Sequence, residues 1–423
     1  MIAPSSPYGS PSFMLAAKGL IALHRLIKGG NDDSPGAESV RNALDAPLNA
    51  LNATEKERAQ WLSEDLYSVS EPPIGSLKPM NPQAQRHLNE AIEARERREW
   101  DLALALLRRW KEYISPALLS YLRGSIWREA GIVDVAAAFY EHAALCDPEN
   151  ANYRAVYMHV LAESDPNAAA RLADEVLADD EKHAPMVVAR ATQIRFQKTK
   201  TASDAEATRL YRELLSILER NMTRIENGEA TESLSSDYAM TAGLLGFCHE
   251  FLGNSGAAID AYSRGLQANP NNYSLLIARA ILLYGASARS ITDFEHAARS
   301  GYPFLWPYLF LAHHYLISNR FEQCRAMCET GIKMPGSDAA RSQLEEWRAI
   351  AQAELGFSAE AVRAAFEAAI RLDPSNEQAR QNLVAFEVSL KTPSAAHRAT
   401  WQHKPEAALK QFGLVERRYS MAA

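Results

Sequence analysis

Cysteine is scarce in this chain, and so is any long apolar run. Four cysteines among 423 residues cannot make a disulfide framework, and their usage fits a reducing compartment. No stretch of 18 or more apolar residues exists, which excludes a membrane-spanning helix on sequence grounds. The segment "FMLAAKGLIALHRLIKGG" near the N-terminus is broken by Lys18 and followed by Arg25 and Lys28. That is the reverse of a signal peptide's polarity, so the expected location is cytoplasmic. Basic charge of one sign is missing too. The formal charge is −7, with acids and bases mixed throughout, which argues against a nucleic-acid binder held by phosphate contacts. The isolated "RERR" of Arg95 to Arg98 reads as the solvated face of a helix. Walker loop, paired-glycine nucleotide fingerprint, nucleophile elbow and zincin motif are all absent. The chain is expected to be no enzyme and to need no cofactor.

What is present is a repeat. Two windows share one pattern: "LSYLRGSIWREAGIVDVAAAFYEHAALCDPENANY" from Leu119 and "YAMTAGLLGFCHEFLGNSGAAIDAYSRGLQANPNNY" from Tyr238. In the first, Gly124 and Trp127 are followed by Ala136, Tyr140, Ala143 and Pro148; in the second, Gly246 and His249 by Ala258, Tyr262, Gly265 and Pro270. Two short antiparallel helices need small residues where their backbones approach, so Gly124 is expected to face Ala136, and Gly246 to face Ala258. The aromatic fills the opening of the hairpin, and the proline marks the turn out of it.

These residues resemble the tetratricopeptide repeat, whose unit is 34 residues of small and large side chains at set points, ending in proline. Weaker windows stay in phase: Ala91, Ala103, Leu107, Trp110 and Pro116; Ala207, Tyr211 and Leu214; Phe294 and Ala297; Ala312, Tyr315, Cys324, Cys328, Gly331 and Pro335; Ala361, Phe366, Ala369 and Pro374. A degenerate unit keeps Ala169, Ala173 and Val176. The expected fold is all-α, a right-handed α-solenoid of about eight such hairpins with a helical N-terminal extension.

Residues 1–82 read as that extension and a proline-rich linker, with 1–13 mobile. Helices are expected from about Phe13 to Lys28, after Ser34 with Pro35 at the first helical position, and from Thr54, with Thr54 and Glu57 as a capping box. Trp61, Leu62, Leu66 and Val69 lie at helical spacing there. Residues 83–220 form a first sub-array, 221–237 a polar loop, 238–390 a second sub-array, and 391–423 a tail whose short helix caps the far end. The extension reads as a cap for the array, or as a separate functional module.

The resemblance implies a concave surface lined by the first helix of each hairpin. Its inward positions transfer to Tyr121, Ser125 and Arg128; Phe247 and Glu250; Leu275 and Arg279; Trp306, Leu309 and His313; and Trp347, with Arg154 and Phe196 from weaker units. Trp306 and Trp347 read equally well as anchors in the groove or as packing between hairpins. The family's chaperone-tail clamp needs lysine and asparagine at points that here hold Tyr121 and Ser125, or Gly243 and Phe247. Cys324 and Cys328, one turn apart near His313 and His314, have metal-ligand chemistry but occupy core positions of the repeat. Ser235 and Ser236, beside Glu232 and Asp237, are candidate modification sites. The expected function is an adaptor that binds a protein or peptide segment, with no nucleic acid and no membrane as partner. The alternative is a self-assembling element whose partner is another copy. An enzymatic role for the first 80 residues finds no catalytic constellation to support it.

Overall fold

The computed structural model of the protein describes residues 8–70, 77–198, 203–229, 234–391 and 401–420, apart from the side chains of 70, 198, 234–237 and 415–420. Among these residues there are twenty-one α-helices and no strand. No described helix is long and apolar enough to cross a membrane. The chain divides into two compact units, Met1–Phe196 and Gln197–Ala423.

The first unit opens with α1 (Pro11–Lys28), α2 (Pro35–Asn49) and α3 (Ala53–Ser70). Three hairpins follow: α4 (Pro82–Glu96) with α5 (Trp100–Arg109), α6 (Pro116–Glu129) with α7 (Val133–Cys146), and α8 (Ala151–Ser164) with α9 (Pro166–Ala178). Then comes α10 (Pro185–Lys198). Five of these helices begin with one dipeptide chemistry. Ser10, Ser34, Asn81, Ser115 and Asp165 each accept a hydrogen bond from a first-turn N–H, and a proline follows at once. The side-chain oxygen satisfies an orphan donor, and the proline removes another while presetting φ. At α3 the expected box shifts by two residues. Glu55 N–H donates to Asn52 Oδ1 at 3.0 Å and Asn52 N–H to Glu55 Oε2 at 3.3 Å, so the pair is Asn52–Glu55 rather than Thr54–Glu57.

Within the hairpins the glycines meet the tyrosine of the second helix most closely. A Cβ on Gly124 would stand 3.1 Å from the Tyr140 ring, and one on Gly246 would stand 2.5 Å from Tyr262. The small residue thus makes room for the aromatic ring. Each tyrosine then reaches back to the first helix, Tyr140 Oη donating to Ser125 and Tyr262 Oη to Glu250, both at 3.0 Å. The turn between the two helices needs a left-handed residue, and Gly131 and Gly253 provide it at φ 85° and 81°.

The N-terminal helices are not a separate body. Phe13, Leu62, Leu66 and Val69 bury in one cluster with Ala103, Leu107 and Trp127 of the hairpins. Residues 1–7 lie outside the described part, but Tyr8 is buried, so the mobile end expected over 1–13 does not extend to it. Its ring meets Phe13, Trp100 and Trp127 edge-on at 5.5–5.9 Å, and its hydroxyl donates to Asp101.

The second unit contains α11 (Asp204–Glu226), then α12 (Leu234–Phe251) with α13 (Ser255–Ala268), α14 (Tyr273–Leu283) with α15 (Arg289–Arg299), α16 (Trp306–Ile317) with α17 (Phe321–Gly331), and α18 (Asp338–Glu354) with α19 (Ala359–Leu372). It ends with α20 (Glu377–Lys391) and α21 (Glu406–Ser420). The polar loop expected over 221–237 is helical at both ends, because Leu214, Leu218, Met222 and Ile225 continue a buried stripe past Glu219. Polar residues between those positions mask the period. Glu232 falls outside the described residues, as do the side chains of Ser235, Ser236 and Asp237.

Candidate functional site

In the first unit, two arginines from different helices meet one histidine of a third. Arg128 (α6) contacts His159 Nε2 at 2.7 Å and donates to Glu163 at 2.8 Å, both on α8. Arg190 (α10) reaches His159 Nδ1 at 3.3 Å, and Arg154 (α8) lies 3.3 Å from His183. Burial pushes the His159 pKa down to about 4, and Arg190 and Arg128 depress it further against the opposing pull of Glu163. The imidazole therefore stays neutral and registers a positive local potential. Tyr121 and Tyr153, on α6 and α8, lie side by side at 5.2 Å ring to ring. All these side chains remain partly or fully accessible. His159, Arg190 and Tyr153 escaped sequence reasoning because the degenerate repeat here lacks the proline that sets the register.

Most of the other residues expected to line a groove are turned into its walls. Ser125 is buried, accepting from Tyr140 and donating to the Tyr121 carbonyl at 3.0 Å. Glu250 is buried against Tyr262. Leu275 fills the space beside Gly243 and Gly265. Arg279 and Asp293 form a buried bidentate pair at 2.8 Å. Trp306, Leu309 and Trp347 lie in the core. Phe247 is half-buried near Tyr211 at 6.0 Å, and Phe196 is also half-buried. The reason is geometric: a first helix packs against its own partner and against the next hairpin, so a step of one residue, about 100°, turns an inward position into an interface.

The first-helix face of the second unit is occupied by the chain itself. Residues from Trp401 onward do not cap the far end; they return across the first helices. The Trp401 indole N–H donates to Glu354 on α18 at 2.6 Å. Asn382 on α20 holds one residue's main chain from both sides, accepting from Gln402 N–H at 2.7 Å and donating to its carbonyl at 3.1 Å. His313 on α16 meets the Lys404 carbonyl through Nε2 at 2.7 Å. A carbonyl only accepts, so Nε2 carries the proton and Nδ1 accepts from Tyr284 Oη, also at 2.7 Å. Further on, Leu409 is fully buried, Phe412 lies 6.3 Å from the Trp306 ring, and Lys410 donates to the Leu282 carbonyl of α14. Gly413 sits so close to Phe310 that a Cβ would come within 2.6 Å of the ring. His313 thus belongs to this contact. Cys324 and Cys328 are buried elsewhere in the core, Cys324 facing the Trp347 carbonyl. Among the described residues no group of three or more His, Cys, Asp or Glu side chains gathers as metal ligands.

Behind Asn382 lies a buried carboxylate. Glu346 accepts from Gln343 at 2.7 Å, Asn376 at 3.0 Å and Asn382 at 2.9 Å. Burial pushes its pKa up to about 7, although these amides and Lys404 pull the other way. The folded state therefore binds the proton more tightly than the unfolded chain. The resulting stability is complete below pH 4.5 and is lost as pH rises through 7. Desolvation lowers His313 to about 4, so its contribution is present above pH 6.5 and lost on acidification. The two oppose each other, and the wild-type profile conceals both. Removing one separates them. The stability of Glu346→Gln minus that of wild type is expected to rise by roughly 3 kcal/mol between pH 4 and pH 8. Urea denaturation across that range measures it, and a flat difference would show an ordinary carboxylate.

No family model matches the sequence, and no curated protein does. Among solved structures, the chain is similar to a tetratricopeptide repeat protein from Parabacteroides merdae, at 14% identity over 69% of this chain and 100% of that one, with a TM-score of 0.39. It is also similar to the apo form of the quorum sensor NprR from B. thuringiensis, at 14% identity over 84% and 97%, with a TM-score of 0.41. A third similar structure is PilF from Pseudomonas aeruginosa, at 14% over 58% and 89%, with a TM-score of 0.35. The chain's own hairpins show glycine–tyrosine packing and left-handed glycines at their turns.

Proposed function

We propose that this stack of tetratricopeptide-type hairpins is a protein-interaction adaptor, and that the inner face of its first unit receives an acidic segment of a partner protein. The observation that carries this reading is the meeting of Arg128 of α6 and Arg190 of α10 at one imidazole, His159 of α8. Arginine recognises carboxylates through a planar fork of donors. Arginine and tyrosine also dominate binding energy where they sit centrally, at about 2 kcal/mol or more each. The depressed pKa of His159 supports the reading, since part of the depression comes from Arg190 and Arg128. A chain of net charge −7 that sets the guanidiniums of Arg128 and Arg190 on one imidazole is suited to select acidic segments while repelling acidic surfaces elsewhere.

The test compares wild type with Arg128→Glu/Arg190→Glu in quantitative capture from native lysate, followed by anisotropy with the captured protein's acidic segment as a labelled peptide. Arg128 and its partner Glu163 are both substantially exposed, so the variant is expected to fold. Loss of affinity by about a hundredfold or more, together with binding that weakens as salt rises, is the expected result. Equal binding by the folded variant would refute the assignment.

A further inference from the structure

We infer that the segment Trp401–Leu414 is a displaceable intramolecular ligand of the second unit, and that the face beneath it is a second peptide site for partner segments of the same chemistry. This does not depend on the arginine face of the first unit.

The contacts combine main-chain recognition with apolar packing, since Leu409 joins the buried cluster and Trp401, Phe412 and Leu414 pack against it. Asn382 and His313 bond to the main chain at Gln402 and Lys404. Such bonds are open to any peptide that lies along the face, because every residue offers the same N–H and C=O. Both receptor side chains are fully buried and are themselves held, Asn382 by Glu346 and His313 by Tyr284. That prior support keeps them in position for a peptide. Discrimination comes from a few side chains of the segment. Trp401 donates to Glu354, Leu409 is engulfed, and Phe412 lies against Trp306. Gly413 admits the Phe310 ring where a larger residue would collide. Between these anchors the segment stays at the surface: Gln402, His403 and Pro405 to Ala408 are exposed. Pro405 precedes α21, so the ligand class is defined. It is a short stretch led by an aromatic residue, followed by a proline-started amphipathic helix carrying leucine, lysine and phenylalanine–glycine.

Only residues 392–400 join α20 to this segment. A tether of that length gives a local concentration in the millimolar range. An external segment must exceed that advantage or be helped by a change that loosens the tail. The tail therefore sets a threshold for entry.

The probe is a fluorescein-labelled peptide of residues 401–416, titrated against three proteins: the full chain, the full chain with Gly413→Val, and the chain ending at Lys391. Micromolar binding to the shortened chain is expected, with binding to the full chain weaker by about tenfold or more and Gly413→Val in between. Asn382→Ala in the shortened chain is expected to weaken binding at least about tenfold, since it removes both main-chain bonds and leaves Glu346 short of a donor. No binding by a folded shortened chain would overturn the site. Equal binding by the full and shortened chains would overturn the tail's competition for it. Hydrogen exchange on the intact protein gives a reading even if truncation unfolds it. Excess unlabelled peptide is expected to deprotect the chain's own residues 406–414, and unchanged protection would show that the segment is a fixed part of the fold. A full chain that sediments as a dimer while Gly413→Val is a monomer would put another copy's segment in the site and refute the intramolecular assignment.

Discussion

Replacing Asp65 with alanine is expected to destabilise the first unit by about 3–5 kcal/mol. Asp65 on α3 is 3% exposed and receives Arg123 Nη2 of α6 at 2.8 Å and Arg108 Nη2 of α5 at 3.0 Å. Arg123 is itself 2% exposed; its other contacts are Ser68 Oγ at 3.1 Å and the Phe139 ring. Burial pushes the Arg123 pKa down and the Asp65 charge pulls it up, so the carboxylate offsets the cost of holding this cation inside the fold. Without it a cation remains in an apolar interior, which costs far more than the net worth of the pair. The effect separates from simple loss of contact in a paired substitution. Asp65→Leu combined with Arg123→Met, which removes both charges, is expected to recover most of the loss. Urea denaturation with hydrogen exchange of the α6 amides measures the first unit alone. A change within about 0.5 kcal/mol for Asp65→Ala would mean that water reaches the pair.

Trp347→Ala is expected to cost the second unit a similar amount, about 3–5 kcal/mol. The indole is fully buried in the middle of α18, with the His313 ring 5.2 Å away, and belongs to the same buried cluster as Phe310, Ile350 and Phe366. Its N–H has no hydrogen-bond partner among the described residues, so truncation forfeits packing and opens a cavity without leaving a polar group orphaned. The same substitution decides between the two sequence readings of this residue. A groove anchor exposed to an incoming partner would leave stability within about 0.5 kcal/mol when shortened, whereas a core residue lowers the midpoint of unfolding. Trp347→Phe, which keeps much of the volume, is expected to cost less than half as much.

The hairpin was legible in the sequence because its causes lie close together along the chain. Gly124, Ser125 and Tyr140 fall within 17 consecutive residues, and they meet as soon as two helices pack. Ser–Pro and Asn–Pro starts, left-handed glycines at the turns and the 3.6-residue apolar stripe are likewise local, so helices, turns and order of pairing follow from short windows. Errors at this level were small shifts, such as Asn52–Glu55 for the capping pair, because several nearby residues offer the same chemistry. The inner surfaces were less legible. Leu309, expected in the groove, is buried in the core, and so are Trp306 and Trp347, which read equally well as anchors or as packing.

Only the tertiary structure decided which distant parts meet. His313 and Lys404 are 91 residues apart, and Asp65 and Arg123 are 58 apart along the sequence. No periodicity links them, because the pairing depends on the shape of stacked hairpins and on where the chain returns. Trp401, Leu409 and Phe412 form a pattern that suits any amphipathic helix, and the sequence alone left it as a cap. Its place on the first-helix face follows from Asn382 and His313 being prearranged there and from Phe310 admitting a glycine. Those are properties of a surface assembled from four helices. One-dimensional spacing specifies each helix separately, while the relative placement that makes their side chains converge exists only once they have packed.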